Sequence, residues 1–400
     1  MQLVNEITWY VNTMFRITLS KPQLSNLNIL VHSIILNTWK KSIVKLSNIL
    51  NIIKTKDQSS LNRFLTTSSW NEKQINNIRI ENLQNDNNFK MKWSWYIIWD
   101  DSLVVEFWEK MEYVWWYHFD HTDWKYKQWR SIVSALYCEE QWDWIIVYPL
   151  DFEIYYKIED IWDIDFKTKN QIVTDLIDEI NENWFKGLNT FEKPIILIDS
   201  WYSWADLLTH LDQQWFRFIA RGKENRVIKT QIKTEKGMEE RNINIMEILK
   251  EKPIIKGKIK KFDKDLYFIS WEIKEWEGRK ESWYVITNIE INEEDLKHWK
   301  KVLWYYNKRW KIEVFFKEMK QNFWWKDNSM CKSIWFLNYI YLTFISFTIM
   351  MKNKVKQWFK DISCVKDWFI EKIFFWIVNT VSSLTNRWYR KETIFSKIFW

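Results

Sequence analysis

Apolar positions along this chain follow two different periods, and the changes between them mark out its parts. In residues 1–90, rich in Leu, Ile and Asn, apolar side chains recur at helical spacing through Leu27 to Ile53. A capped helix is predicted from about Asn71, after Ser68 and Ser69. From Lys92 the texture shifts to short β-type runs at Tyr96-Ile97-Ile98, Ser131 to Tyr137, and Ile145-Ile146-Val147-Tyr148. An amphipathic helix over about 167–185 leads to the apolar run Ile195-Ile196-Leu197-Ile198, which ends at Asp199. A helix over 205–213 and a strand over 216–220 follow. Strands alternating with helices predict an α/β sheet covered on both faces. Residues 225–290 return to strand-like segments such as Leu266 to Ile269 and Trp283 to Ile286, a β-rich insertion, before helices from Tyr306 onward. The pattern predicts an N-terminal helical domain over 1–90, an α/β domain over 91–352 and a helical region over 353–400.

The segment Ser333 to Met351 carries no charge and is just long enough to span a bilayer. It holds Asn338, Thr343, Ser346 and Thr348 and directly follows a charged stretch, so a buried core helix is expected and no membrane partner. Lys and Arg number 59 against 52 Asp and Glu, a net charge of +7 that favours a polyanionic partner. Cys138, Cys331 and Cys364 show no paired spacing, which points to a reducing cytoplasm and against a disulfide frame. The first ten residues lack the pattern of a secretory signal. His118, Asp120, His121 and Asp123 stand close in sequence, but no further Cys or His pair completes a zinc site, and a polar hairpin is expected there.

Composition changes how single residues are read. The chain has 32 Trp and 5 Gly in 400 residues, where average usage gives about 28 Gly. Trp324 and Trp325 stand where a helix cap belongs, and Trp215 stands where a helix must turn into a strand. The expectation is UGA recoding: codons that specify Gly have been rendered as Trp. Trp70, within Phe64-Leu65-Thr66-Thr67-Ser68-Ser69-Trp70, is expected to be a true Trp. The competing expectation is a protein rich in Trp throughout.

Two acidic sites and one helix carry candidate chemistry. Asp100 and Asp101 end a strand before Ser102, and Asp199 ends the clearest buried strand before Ser200. Tyr306, Arg309, Glu313 and Lys320 fall at roughly 0, 300, 340 and 320° on a helix, one stripe about 60° wide. Such a stripe presents a carboxylate to a metal and cations to phosphates, or else is an exposed salt-bridged face. Glu318 lies roughly 140° from Glu313 and is expected in solvent. Three acids from three elements are enough to hold two divalent cations at a phosphodiester. Strand alternation sends Asp100 and Asp101 to opposite faces, so only one of them reaches the site. The segments Arg221 to Arg226 and Lys256 to Lys261 suit either a DNA backbone or solvated turns.

Taken together, Asp100-Asp101-Ser102, Ile198-Asp199-Ser200-Trp201-Tyr202 and Tyr306-x2-Arg309-x3-Glu313-x6-Lys320 resemble the acidic triad and Tyr-Arg-Glu-Lys signature of insertion-sequence DDE transposases. The resemblance runs from about Ser60 to about Met351. It implies a ribonuclease H-like mixed sheet flanked by helices, a β-rich insertion between the second Asp and the Glu, and two Mg²⁺ ions, with Mn²⁺ as a substitute. It further implies Asp100, Asp199 and Glu313 as metal ligands, and Tyr306, Arg309 and Lys320 as contacts to DNA. Asp100 is preferred over Asp101 because Ser102 matches the hydroxyl residue the family carries two positions after its ligand; in the other reading Asp100 orients the neighbouring strand. The implied activity is cleavage at the ends of the element and joining of the freed 3′-hydroxyl to target DNA, by a homodimer on paired ends. A metal-dependent nuclease on the same core and an inactive DNA-binding remnant are the rival readings.

Overall fold

The computed structural model describes residues 2–36, 58–68, 70–92, 95–106, 112–114, 118–120, 124–141, 144–234, 237–272, 282–292, 296–323, 325 and 332–385. Among the described residues four helices come first: α1 (Gln2–Phe15), α2 (Lys21–Leu36), α3 (Gln58–Thr66) and α4 (Glu72–Gln84). The predicted cap is present, since the Asn71 side chain accepts from the backbone N–H of Gln74 at 2.8 Å. Of the helical pattern expected through Ile53, positions 37–57 lie outside the described residues.

Strands β1 (Tyr96–Glu106), β2 (His118–Asp120), β3 (Lys125–Gln141), β4 (Trp144–Tyr155), β5 (Ile195–Ile198) and β6 (Phe218–Arg221) form the first part of the sheet. In order across the sheet they run β4-β3-β1-β5-β6, with β2 and β4 pairing along different stretches of β3. β1 is antiparallel to β3 but parallel to β5, and β5 is parallel to β6. Parallel neighbours need a crossover, here supplied by α5 (Lys169–Ile180) and α6 (Ala205–Gln213). All four residues of β5 are buried, as expected for a central strand covered on both faces. Each such aliphatic side chain contributes about 1.5–3 kcal/mol relative to exposure. Thr168 and Gln171 close a capping box at the start of α5, whose Ile172, Val173, Leu176, Ile177 and Ile180 face the core.

Residues 225–290 hold β7 (Val227–Thr234), β8 (Gly237–Asn244), α7 (Ile245–Leu249), β9 (Ile254–Gly257), β10 (Leu266–Glu272) and β11 (Ser282–Thr287). Only β7 and β8 form a separate hairpin. The other three strands extend the main sheet, because β11 pairs antiparallel with β6 and is followed by β10 and β9. Gly222 is required at this seam: a Cβ there would lie 2.0 Å from the Tyr284 ring.

The chain then runs through α8 (Leu296–Tyr306), a 3₁₀ turn (Asn307–Arg309), α9 (Trp310–Asn322), α10 (Ser333–Lys356) and α11 (Ile362–Thr385). The uninterrupted helix expected from Tyr306 to Lys320 is therefore broken. α10 is long and apolar enough to cross a membrane, yet it is mostly buried, packed against α2, α3, α4, α11 and β4 as a core helix. Arg79 locks this junction. Fully buried, it donates to Asn76 Oδ1, the Pro149 and Leu150 carbonyls and Thr348 Oγ1, joining α4, β4 and α10.

The Trp residues divide sharply by fit. Trp70 stacks on Phe64 at 5.2 Å and donates Nε1–H to the Phe64 carbonyl at 2.9 Å. Trp325, against expectation, is also well housed: it is buried, packs near Phe315, Phe316 and Phe344, and donates to Thr343 Oγ1 at 3.0 Å. Trp324 lies outside the described residues. Trp124, Trp215 and Trp358 instead adopt φ of 58, 62 and 58°, a region costly for a residue with a Cβ. Two of them close helices. The N–H of Phe216 bonds to the Leu211 carbonyl and that of Trp215 to the Asp212 carbonyl, which puts Trp215 at the C′ position of a Schellman motif. After α10, the Phe359 N–H bonds to the Lys354 carbonyl and Trp358 takes the same position. Trp99 is fully buried with Nε1 lacking a hydrogen-bond partner.

Candidate active site at the rim of β1 and β5

Register brings the first two acids together. In the parallel pair β1 and β5, the last partners are Trp99 and Ile198, so Asp100 and Asp199 stand side by side one step beyond the pairing. The sheet rim at the ends of parallel strands is where α/β folds present their chemistry. Asp199 leaves the sheet into a 3₁₀ turn, Ser200–Tyr202, whereas Asp100 and Asp101 do not end their strand as expected: β1 runs on to Glu106 because it stays paired with β3 after its pairing with β5 stops.

Glu313 comes from the first turn of α9, and Arg309 joins it to the strands. The Arg309 guanidinium donates through Nη1 to Asp100 Oδ2 at 2.8 Å and through Nη2 to Glu313 Oε1 at 2.7 Å. The 3₁₀ turn explains the alignment of Tyr306 with Arg309, because residues three apart eclipse in that geometry. Tyr306 differs from the expected DNA-facing phenol. It is 5% exposed, its ring lies 5.6 Å from that of Trp283, and its hydroxyl has no hydrogen-bond partner. A phenol so enclosed cannot reach DNA from where it stands. Burial pushes its pKa well up, and the neighbouring charges of Arg309 and Asp199 act on it from the site. Lys320 sits two turns beyond Glu313, half-buried in the last turn of α9. Glu318 is also half-buried rather than solvated, and accepts from Asn322.

Charge at this rim is unbalanced. Burial raises the Asp100 pKa to about 7 despite the opposing pull of Arg309 and a hydrogen bond from the Asp101 N–H, and the like charges of Asp101 and Asp199 raise it further. Around Arg309, burial opposes the charged form, but Tyr306, Asp100, Asp199 and Glu313 outweigh it and raise its pKa. Asp199 Oδ1 is buried with no hydrogen-bond partner. A buried carboxylate oxygen with no donor suits a hard cation, and three carboxylates are the donor set such an ion takes. Among the described residues no three acids, His or Cys already stand close enough to bind an ion, since the guanidinium lies between two of these acids.

The opposite face of β1 holds what sequence reasoning missed. Asp101 accepts from Lys169 Nζ at 2.6 Å, Tyr202 OH at 2.8 Å and Ser131 Oγ at 3.1 Å. Tyr202 closes the turn that starts at Asp199, so Asp101 ties the Asp199 loop to β1. Lys169 had one available signal: a cation in the first turn of a helix opposes the helix dipole and needs a local reason. A second tie comes from Arg226, which donates to the Ser203 carbonyl. In the Arg221 to Arg226 turn, Arg226 thus points inward, while Lys223 lies 3.8 Å over the Trp204 ring. The His118 group does not form a described cluster, because His121 and Asp123 lie outside the described residues.

Residues 167–349 match a family described as the transposase DDE domain. The matched span, a little under half of the chain, contains Asp199, Tyr306, Arg309, Glu313 and Lys320 and begins after Asp100. No curated protein matches the chain. The match supports a DDE transposase, an enzyme that acts on DNA, and the mixed α/β fold agrees with a ribonuclease H-like core.

Proposed function

We propose, with the transposase DDE domain over residues 167–349 as premise, that the chain cleaves DNA at the ends of its own insertion element and joins the 3′-hydroxyl to target DNA. The observation that carries this reading is the register that sets Asp100 beside Asp199 at the sheet rim, with Glu313 drawn to them through Arg309. In this reading Asp100, Asp199 and Glu313 hold two Mg²⁺ ions, or Mn²⁺ in their place. When bound, such ions activate the attacking oxygen and stabilise the leaving one at phosphorus. Asp101 holds the Asp199 loop, and Arg309 and Lys320 receive phosphates. Tyr306 is a buried packing residue beside Trp283. Residues 1–90 are assigned to end recognition, and two copies work on paired ends.

The test supplies labelled end duplexes, taken from the inverted repeats that flank the gene, together with a target plasmid and Mg²⁺. Transposase activity predicts nicked ends and joined products. Nicking without joining would favour a nuclease on the same core, and end binding without either would identify an inactive remnant.

We further infer that many Trp codons in this chain are UGA read as Gly. What supports this is that Trp215 and Trp358 stand at Schellman C′ positions with left-handed φ, where Gly is the usual occupant. Trp70 and Trp325 are exempt, because their Nε1–H groups are satisfied. Peptide mass spectrometry of the protein from its native source would find Gly at positions 215 and 358; Trp at both would end the inference.

A further inference from the structure

The site that the acids form is closed by one of its own side chains. Arg309 bridges Asp100 and Glu313 with two charge-assisted hydrogen bonds of 2.8 and 2.7 Å, while Asp199 Oδ1, beside them, is buried with no donor. The Tyr306 hydroxyl, on a side chain 5% exposed, is likewise without a partner. One guanidinium therefore faces three carboxylates and satisfies two. A divalent ion cannot share Asp100 and Glu313 with that guanidinium, because the two cations would repel at contact distance and compete for the same oxygens.

We propose that Arg309 is a built-in counter-cation that occupies Asp100 and Glu313 until a phosphodiester of bound DNA draws it away, so that metal and DNA bind cooperatively. The proposal rests on the reading of Asp100, Asp199 and Glu313 as the metal-holding set. Two features make the exchange feasible. The guanidinium fork that fits a carboxylate fits a phosphate equally well, so Arg309 can change partners without losing its pairing. It is also carried on the 3₁₀ turn Asn307–Arg309 between α8 and α9, and a 3₁₀ stretch between two helices marks a place where the helix path can adjust. Coupling of this kind is reciprocal: the DNA tightens the metal, and the metal tightens the DNA by the same factor. Its consequence is a site that stays unloaded until a substrate is present.

Mn²⁺ binding to the full chain, followed by electron paramagnetic resonance titration with and without the flanking-end duplex, tests this without reference to catalysis. Arg309→Gln should bind Mn²⁺ at least about tenfold tighter than wild type in the absence of DNA. Arg309→Lys, which keeps the charge but loses the fork, should fall between the two and covers the case in which Arg309→Gln does not fold. Adding duplex should tighten Mn²⁺ on wild type and leave Arg309→Gln nearly unchanged. Wild type that binds Mn²⁺ while both variants bind it no tighter overturns the proposal and leaves the triad reading intact. If neither wild type nor variants bind Mn²⁺, with or without duplex, or if Asp199→Asn binds it as wild type does, the triad reading itself falls and takes the proposal with it.

Discussion

Asp100 and Asp101 are neighbours on one strand, yet they live in opposite electrostatic conditions. Asp101 faces Lys169, Tyr202 and Ser131, and both of its oxygens are engaged. Asp100 faces Arg309 together with two further acids and is driven up to about pKa 7, chiefly by burial. One face is finished, and the other has more acids than donors. A satisfied network fixes geometry, whereas an unsatisfied one at a sheet rim is open to a ligand. In the proposed reading Asp101 therefore positions and Asp100 binds the ion, a choice that strand alternation alone leaves open.

The comparison breaks most visibly if the quiet face is cut. Asp101→Asn combined with Tyr202→Phe should lower Mn²⁺ affinity by roughly 10- to 100-fold, the usual effect of removing partners that orient a ligand. Unchanged affinity would mean that the Asp199 loop needs no tie. Lys169→Met should leave Asp101 without its cation and lower the unfolding free energy by about 2 kcal/mol in urea, below the roughly 3–5 kcal/mol of a fully buried pair because both side chains retain some exposure. A change within experimental scatter would show that Tyr202 and Ser131 suffice.

The busy face makes a prediction in pH. The folded-state pKa of Asp100 is raised from 3.8 to about 7, so the folded form holds its proton more tightly than the unfolded chain. Its contribution to stability is present in full below about pH 4 and is lost as pH rises through about 7. Metal-free Asp100→Asn should lack that decline; an identical pH profile would argue that Asp100 is ordinary. The smallest effect concerns the helix caps. Trp215→Gly in the chain as written should stabilise it by about 1 kcal/mol by relieving the left-handed strain, and a destabilised variant would indicate that the indole packs usefully there.

Much of this was legible in sequence because it depends on period and spacing. The all-apolar Ile195 to Ile198, the capped helix after Asn71 and the acid that follows β5 are local patterns, whereas Asp100 and Asp101 lie inside β1 and not at its end. Three features were not. The joining of β9 to β11 onto the main sheet depends on pairing β11 with β6 across more than sixty residues, which no local signal records. The break at Asn307–Arg309 arises in a stretch whose helical spacing suits an unbroken helix equally well. The Asp101, Lys169 and Tyr202 tie unites three separate elements, and only the dipole-opposing position of Lys169 hinted at it. Trp325 shows the converse, since a position suited to a cap by sequence became a packed, hydrogen-bonded core residue once α10 lay beside it.

The most direct test of the account compares Asp199→Asn and Glu313→Gln with wild type on the flanking-end duplex in Mg²⁺. Cleavage should be abolished in both variants while end binding, measured by gel shift at low salt, stays within about threefold of wild type, because neither acid supplies the phosphate contacts that dominate affinity. Cleavage at the wild-type rate in either variant would contradict the central claim that these carboxylates hold the reacting centre.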